Sequence, residues 1–564
     1  MSSPTSEATR AERAALRALQ FGALAVVLAA LPFKPFDLDR FFVAKELVLH
    51  LTAAAVAVLL WRAPRRLVVT PPDVALTLFL VASAASAALA TNWWLAFRAL
   101  AISVSGATLF WGARGVARAG LARPLVAALA IAAAVAALTS LLQAYGVESE
   151  YFSLNRAPGG TFGNRNFVAH LGAVGLPLLV CYALTARGAG GAVLGAAGAG
   201  VTAAALVLSR SRGAWLAVAA TAVPAMYALW RVRRLSTERS RAGRRLLLAV
   251  AAAAGVGAAL VLPNTLEWKS DSPYLDSVRG VVDYRQGSGA GRLVQYRNTL
   301  RMALAHPAVG VGPGNWPVWY PRYASPGDPS LAEDAMTANP WPSSDWAAFV
   351  AERGLIAALL LALVFLAGLT RAVRGVRRAT RAEDLIAPAT LGAVLVSALV
   401  VGAFDAVMLL AAPAFVVWTA IGALWPEDAA VVAAADPDAD APRASSRGTS
   451  RGTPVGERAW RGGAALLALV ALVFAARSAT QMLSMAIVGT DVRAGALGWA
   501  SIVDPGSYRV HLWLARSAAS HARCGPVKSH ASAANALYPS APEPRRLLAR
   551  CGVSVARPRT WPGR

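Results

Sequence analysis

Charge is what this sequence has least of. Of 564 residues only 15% are Asp, Glu, Lys or Arg, where a soluble globular chain carries about 25%. That deficit excludes an ordinary soluble enzyme, and the high apolar content excludes a disordered chain. Acidic residues are the scarcer sign, 30 against 55 Lys and Arg, for a net charge of +25. Cysteine is nearly absent, with three residues in the whole chain. None forms a metal-type or redox-type pair in sequence, so neither a metal nor a cofactor is expected. Cys181 lies inside an apolar run and reads as packing. Cys524 and Cys551 lie in a polar tail, where a disulfide on an oxidising side and two separate thiols are both open.

Apolar residues fill the space that charge leaves. They make up 56% of the chain, and the mean hydropathy is +0.49. A helix needs about 17–25 apolar residues to cross a bilayer. Such runs fall near 15–33, 44–61, 74–91, 97–113, 124–144, 166–186, 190–208, 213–230, 246–262, 346–370, 385–404, 406–424 and 463–482. The expectation is an all-α polytopic membrane protein with about 12–13 transmembrane helices. Arg10, Arg13 and Arg17 precede the first run, but no small-residue cleavage site follows it, so it reads as a retained span.

The arginines come in short clusters between these runs, which suits loops of a membrane protein and not a nucleic-acid surface. Arg62, Arg65 and Arg66 follow the second run, Arg114, Arg118 and Arg123 the fourth, Arg231 to Arg245 the eighth, and Arg371 to Arg381 the tenth. All fall on one side if the N-terminus is cytoplasmic, because cationic loops stay inside. Residues 263–345 then form a large external loop before the tenth span, rich in Pro, Gly, Trp and Tyr. Residues 426–462 read as a flexible cytoplasmic linker, 463–482 as an additional span, and 483–564 as an external helical tail. In the tail, Asp504-Pro505-Gly506-Ser507 reads as a helix start, with further helices over 527–537 and 544–550. Helix, turn, helix and proline there weakly resemble one tetratricopeptide unit.

Several polar groups lie where lipid makes them costly. Ser209-Arg210-Ser211-Arg212-Gly213 falls on the external side, against the charge bias of the loops. Guanidinium matches phosphate oxygens bidentately, so a pyrophosphate clamp is one reading. Two arginines snorkelling to the interface is the other. Gly159 to Phe167 offers Asn164, Arg165 and Asn166 as donors, and taken alone reads better as a glycine turn that caps a helix. The spacing from Leu293 to Leu304 predicts an amphipathic helix, flanked by Arg292 and carrying Arg297. Asp345 and Glu352 are carboxylates at a membrane boundary, either a general base or acids favoured by a helix dipole.

Taken in order, these pieces resemble the O-antigen ligase and polymerase superfamily. The matching residues are Gly160-Thr161-Phe162-Gly163-Asn164-Arg165-Asn166-Phe167, Ser211-Arg212-Gly213, Gly291-Arg292, Pro307 through Trp316, Asp345-Trp346, and Ala351-Glu352-Arg353-Gly354. The resemblance covers roughly residues 15–425, and 1–425 is taken as the ligase-like domain. It implies a bacterial inner-membrane glycosyltransferase with about twelve spans, a large periplasmic loop before the tenth, and a periplasmic tail. Its donor would be a glycan on undecaprenyl pyrophosphate. Its acceptor would be a hydroxyl on a lipid, a glycan or a protein, in lipopolysaccharide or surface-polysaccharide synthesis, without a metal. Arg212 and Arg292 would stabilise the departing pyrophosphate, with Arg210, Arg165 and Arg297 as second choices.

The chain departs from that family at one position. Such ligases carry a loop histidine in a Pro-His-Ser-Asp-Trp-like setting, and here Ser343 stands there. Either Asp345 is then the base, or the leaving group is so activated that arginine stabilisation suffices. The alternative is an altered or inactive membrane scaffold in an envelope-polysaccharide assembly, with the tail recruiting a protein partner. A transporter is a third reading, resting only on Lys45 and Glu46, whose plainer reading is helix-end charge.

Overall fold

The structure is a computed structural model that describes residues 8–62, 68–153, 156–235, 242–268, 270–282, 287–332, 334–425, 453–454, 457–489 and 492–556. Most of the expected linker, 426–452 and 455–456, lies outside the described residues.

Each apolar run of the sequence is a helix. The first nine are α1 (Arg10–Leu28), α2 (Asp39–Trp61), α3 (Pro71–Ala88), α4 (Trp93–Val116), α5 (Ala122–Ala144), α6 (Arg165–Thr185), α7 (Ala189–Ser209), α8 (Arg212–Leu235) and α9 (Ala242–Val261). The large loop holds α10 (Pro273–Val282), α11 (Gly287–Ala305) and the short α12 (Trp316–Trp319). After it come α13 (Asp345–Arg378), α14 (Ile386–Phe404), α15 (Ala411–Leu424) and α16 (Glu457–Val488). The tail is α17 (Ala494–Val503), α18 (Tyr508–Ser520), α19 (Cys524–Leu537) and α20 (Pro542–Arg550). Starts are fixed by side chains that take the unpaired N–H groups of a first turn. Thr9 with Glu12 and Thr70 with Asp73 form capping boxes, and Asn164, Ser344 and Ser507 cap α6, α13 and α18.

Among the described residues, ten helices are long and apolar enough to cross a membrane, with Trp93–Ala144 counted once. Gly120, at φ +76°, breaks that rod into α4 and α5. Two expected spans fall short for physical reasons. α1 carries Arg10, Glu12, Arg13 and Arg17, too many charges for a lipid-facing window. α15 has 14 residues, about 21 Å of rise against a hydrocarbon core of about 30 Å. Every residue of α15 is buried, so other helices enclose it and lipid does not.

The bundle packs through small residues. α7 crosses α9 where Gly255 meets Gly200; a Cβ on Gly255 would lie 2.1 Å from the Gly200 carbonyl oxygen. Small residues let helix backbones approach where lipid gives no hydrophobic drive. Two arginines of the bundle are paired with carboxylates, because an unpaired buried ion would cost several kcal/mol. Arg114 bonds Asp73 at 2.5 Å, and Arg98 bonds both Glu46 at 2.8 Å and Asp39 at 2.9 Å. Lys45 donates to the Ala29 carbonyl and lies 4.7 Å over the Phe162 ring. These contacts account for Lys45 and Glu46 as structural groups.

α16 packs along α2. At one end of this pair β1 (Val68–Val69) pairs antiparallel with β2 (Thr453–Pro454). At the other end α16 delivers the tail to the start of α2. Arg509 donates to the Pro35 carbonyl at 2.6 Å, and Asn92 donates to the Leu537 carbonyl at 3.1 Å. Leu512, Ala515, Val527, Ala531, Leu547 and Leu548 form the tail's own core. Cys524 and Cys551 are joined as a disulfide, with Cα atoms 5.5 Å apart. Cys181 is buried and free.

Candidate functional site

The polar motifs of the sequence gather at the end of the bundle where the tail docks. The first is a weld between the glycine loop and α13. Gly354 has φ +81° and ψ 169°, which breaks α13 after two turns. The carbonyls freed there accept N–H groups from the loop: Ala351 from Val311 at 3.1 Å and Glu352 from Gly312 at 2.9 Å. In return Leu355 donates to the Pro307 carbonyl at 2.9 Å. The Glu352 carboxylate accepts from Gly314 at 2.8 Å and from Trp316 at 3.1 Å. Glu352 is therefore satisfied by backbone donors, which is how a buried carboxylate is tolerated. This weld fixes where the large loop stands over the spans.

The second feature is a set of arginines. Arg210 ends α7 in a left-handed conformation, at φ +53°. Its Nε donates to Ser277 Oγ at 3.0 Å, and its guanidinium lies 4.7 Å over Trp268. Arg165, the first residue of α6, lies 6.0 Å from the same ring. Arg212 opens α8 and donates to the Gly280 carbonyl of α10. Arg292 of α11 is half-buried and acts electrostatically on Arg212, as Arg210 does. Arg156, which the sequence reading passed over, acts on Arg165 together with Arg210. Like charges held together at a bundle end repel one another unless an anion joins them.

Arg297 is not brought into this set. It lies five residues beyond Arg292, about 140° around the helix at 3.6 residues per turn, and is exposed. Gln295 and Tyr296 share the Arg292 side of α11. Gln295 accepts the Ser343 N–H at 2.5 Å, and the Tyr296 hydroxyl donates to the Ser343 carbonyl at 2.7 Å. Burial pushes the Tyr296 hydroxyl up to about 12, partly offset by Arg292. Ser343, in the place of the expected histidine, is thus tied one turn from Arg292.

Asp345 is 0% exposed. Its carboxylate accepts the N–H of Val407 at 3.0 Å and of Met408 at 2.8 Å. Those bonds orient the carboxylate and hold the turn between α14 and α15. That turn presents Asp405, partly exposed, which acts electrostatically on Tyr296 and on His170.

His170 is the residue that sequence reasoning set aside. It lies in α6, is 2% exposed, and has its Nε2 3.4 Å from Ser211 Oγ. Its Nδ1 is buried with no hydrogen-bond partner. Arg292 and Asp405 both act on it. No local signal marked it, because it lies in an apolar run that reads as span interior.

Fold and site together define a multi-pass helical membrane protein with a cationic site at one end. Residues 197–362 match the family model described as O-antigen ligase. This stretch contains Arg210, Arg212, Arg292, Arg297 and Asp345, whereas Arg165, His170, Asp405 and the tail lie outside it. No curated protein matches the chain.

Proposed function

We propose that this protein is an inner-membrane glycosyltransferase of the O-antigen ligase type. It moves a glycan from undecaprenyl pyrophosphate to an acceptor hydroxyl at the periplasmic face, in lipopolysaccharide or surface-polysaccharide synthesis. The N-terminus is then cytoplasmic and the tail periplasmic. The transferase unit is 1–425, joined through 426–462 and a span at 463–482 to the tail at 483–564. The observation that carries this reading is the convergence of Arg212 and Arg292, from two separate elements, inside the family-matched segment.

In the reaction the acceptor oxygen attacks the anomeric carbon, and the bond from that carbon to the pyrophosphate oxygen breaks. The electron pair leaves on the phosphate. Arg212 and Arg292 stabilise that developing anion, flanked by Arg210 and Arg165, as preorganised donors do most effectively in a water-poor site. The first-turn N–H groups of α8 add positive potential at the same place. The acceptor proton passes to the Asp405 and His170 pair, in which Asp405 and Arg292 both act electrostatically on His170. Asp345, expected from sequence as the base, is assigned the positioning of residues 407–408. The second reading, a catalytically silent scaffold, is favoured by Ser343 and by the repeat-like helical tail.

The test uses a deletion strain complemented with wild type or Arg212→Ala. Undecaprenyl-linked glycan accumulates and the matching surface product is lost in the deletion, and only wild type restores it. Equal restoration by both would leave the arginine site idle and put the scaffold reading in the lead.

A further inference from the structure

The tail, which lies outside the family-matched segment, closes a second cavity that none of the arginines just described lines. Its volume is about 700 Å³, within the range of pockets that hold a small ligand, about 300–1,000 Å³. One wall is the start of α2 and α4, a second is the loop around residues 334–341, and a third is α18 of the tail.

The lining has two chemistries. Phe36, Trp341, Tyr508 and Trp513 supply aromatic surface, and the last three are only partly buried. Carboxylates, among them Asp37, Asp39, Asp334 and Asp504, outnumber the cations in the charged part of the lining. Three arginines also line the cavity, but each is engaged. Arg98 is paired with Glu46 and Asp39, Arg516 bonds Glu543 at 2.6 Å, and Arg509 donates to Pro35. Asp37 and Asp334 are exposed. Among the described residues Asp37 has no side-chain hydrogen bond, and Asp334 spends one oxygen on the Met336 N–H at 2.9 Å. Asp37 also holds φ +43° and ψ −109°, a strained conformation for a non-glycine residue and one that collects at functional sites.

Partly covered aromatic faces beside open carboxylates fit the C–H faces and hydroxyls of a sugar chain. A carboxylate accepts hydroxyl hydrogens and repels phosphate. The cavity therefore selects against the anionic groups that the arginine cluster selects for. The two sites are neighbours: Trp341 packs on Phe167 at 5.8 Å between ring centroids, and Phe167 is two residues along α6 from Arg165.

We propose that this cavity binds an uncharged saccharide chain, with the tail as one wall. Its role as the acceptor site rests on the transferase reading; its binding of saccharide does not. The experiment uses the full-length protein in lipid nanodiscs, titrated calorimetrically with tetra-N-acetylchitotetraose, maltotetraose and tetralysine. At least one saccharide is expected to bind, and Trp513→Ala and Asp334→Asn are each expected to weaken it about tenfold or more. Asp334→Asn changes a surface charge without changing shape, so it reads binding even if Trp513→Ala destabilises the tail. Arg212→Ala is expected to bind saccharide as wild type does.

Failure of both saccharides at millimolar concentration, unchanged binding in both cavity variants, or binding of tetralysine alone overturns the proposal. The two readings fail separately. If Arg212→Ala still transfers glycan while Trp513→Ala loses saccharide, the arginine assignment falls and the cavity stands. If Arg212→Ala abolishes transfer and no saccharide binds, the cavity assignment falls alone.

Discussion

His170 Nε2 lies 3.4 Å from Ser211 Oγ, in the residue just before Arg212. A histidine of α6 thus stands beside the cationic site although the loop position holds Ser343. His170→Gln and Asp405→Asn should each slow glycan transfer at least tenfold, about 1.4 kcal/mol of barrier. A pH–rate profile separates a proton-transfer role from a merely structural one: the variants should lose a limb of the profile while inserting normally. Unchanged rates in both would return the base assignment to Asp345.

The arginines should divide by position. Arg212→Ala and Arg292→Ala are each expected to abolish transfer, measured as accumulated lipid-linked glycan with no matching surface product. Arg297→Ala should retain activity within about threefold, because that side chain stands about 140° around α11 from Arg292. Equal loss in all three would mean that the site extends over both sides of α11.

Glu352→Ala tests the weld. It leaves the Gly314 and Trp316 N–H groups without their carboxylate, and each unmet buried donor costs about 1–3 kcal/mol. The expected result is a large fall in thermal stability in detergent. Gly354→Ala should destabilise through the backbone, since φ +81° is a conformation that L side chains disfavour and a Cβ would lie 2.2 Å from the Ala308 carbonyl.

The tail should loosen in mild acid. His511 Nε2 lies 3.1 Å from the Pro505 carbonyl, so it carries the proton there, and its Nδ1 accepts from His530 Nδ1 at 3.2 Å. Both rings are then neutral. Burial holds both below the ordinary imidazole value, and His511 adds to the shift of His530. The unfolded tail takes up protons first. Stability is therefore fully present above about pH 6.5 and declines as pH falls from there toward the folded-state values. Melting of the tail measured between pH 7.5 and 5 should show that decline, and His530→Ala should flatten it.

The disulfide closes a loop of 27 residues in sequence, worth on the order of 3 kcal/mol by loop entropy. Cys524→Ser should lower the melting temperature of the tail and leave the bundle intact, read by limited proteolysis.

The bundle was legible because apolar length is a direct consequence of lipid thickness. Leu293 to Leu304 was legible as a helix from its period, and Ser507 as a start because a short hydroxyl side chain can take a free N–H. The site was legible only in part. Arg212 and Arg292 announce themselves as charge in the wrong place, and Asp345 does too, but its burial and its bonds to the Val407 and Met408 N–H groups show only in the fold. His170 and Asp405 are close only in space, and no local pattern encodes that. α17 and the cavity walls depend on the tail folding back onto Pro35 and Asn92, which is a long-range docking event with no trace in sequence period.

The β1–β2 pairing holds one end of the α2 and α16 pair, so the tail emerges at the other, beside the start of α2 and hence beside Arg165 and Arg212. The tail and the arginine cluster therefore share a compartment whichever way the chain is threaded. The Cys524–Cys551 bond can then serve as a sidedness reporter. An impermeant reductant and thiol probe applied from one face of sealed vesicles registers which solvent the arginines see, without touching a residue of the site.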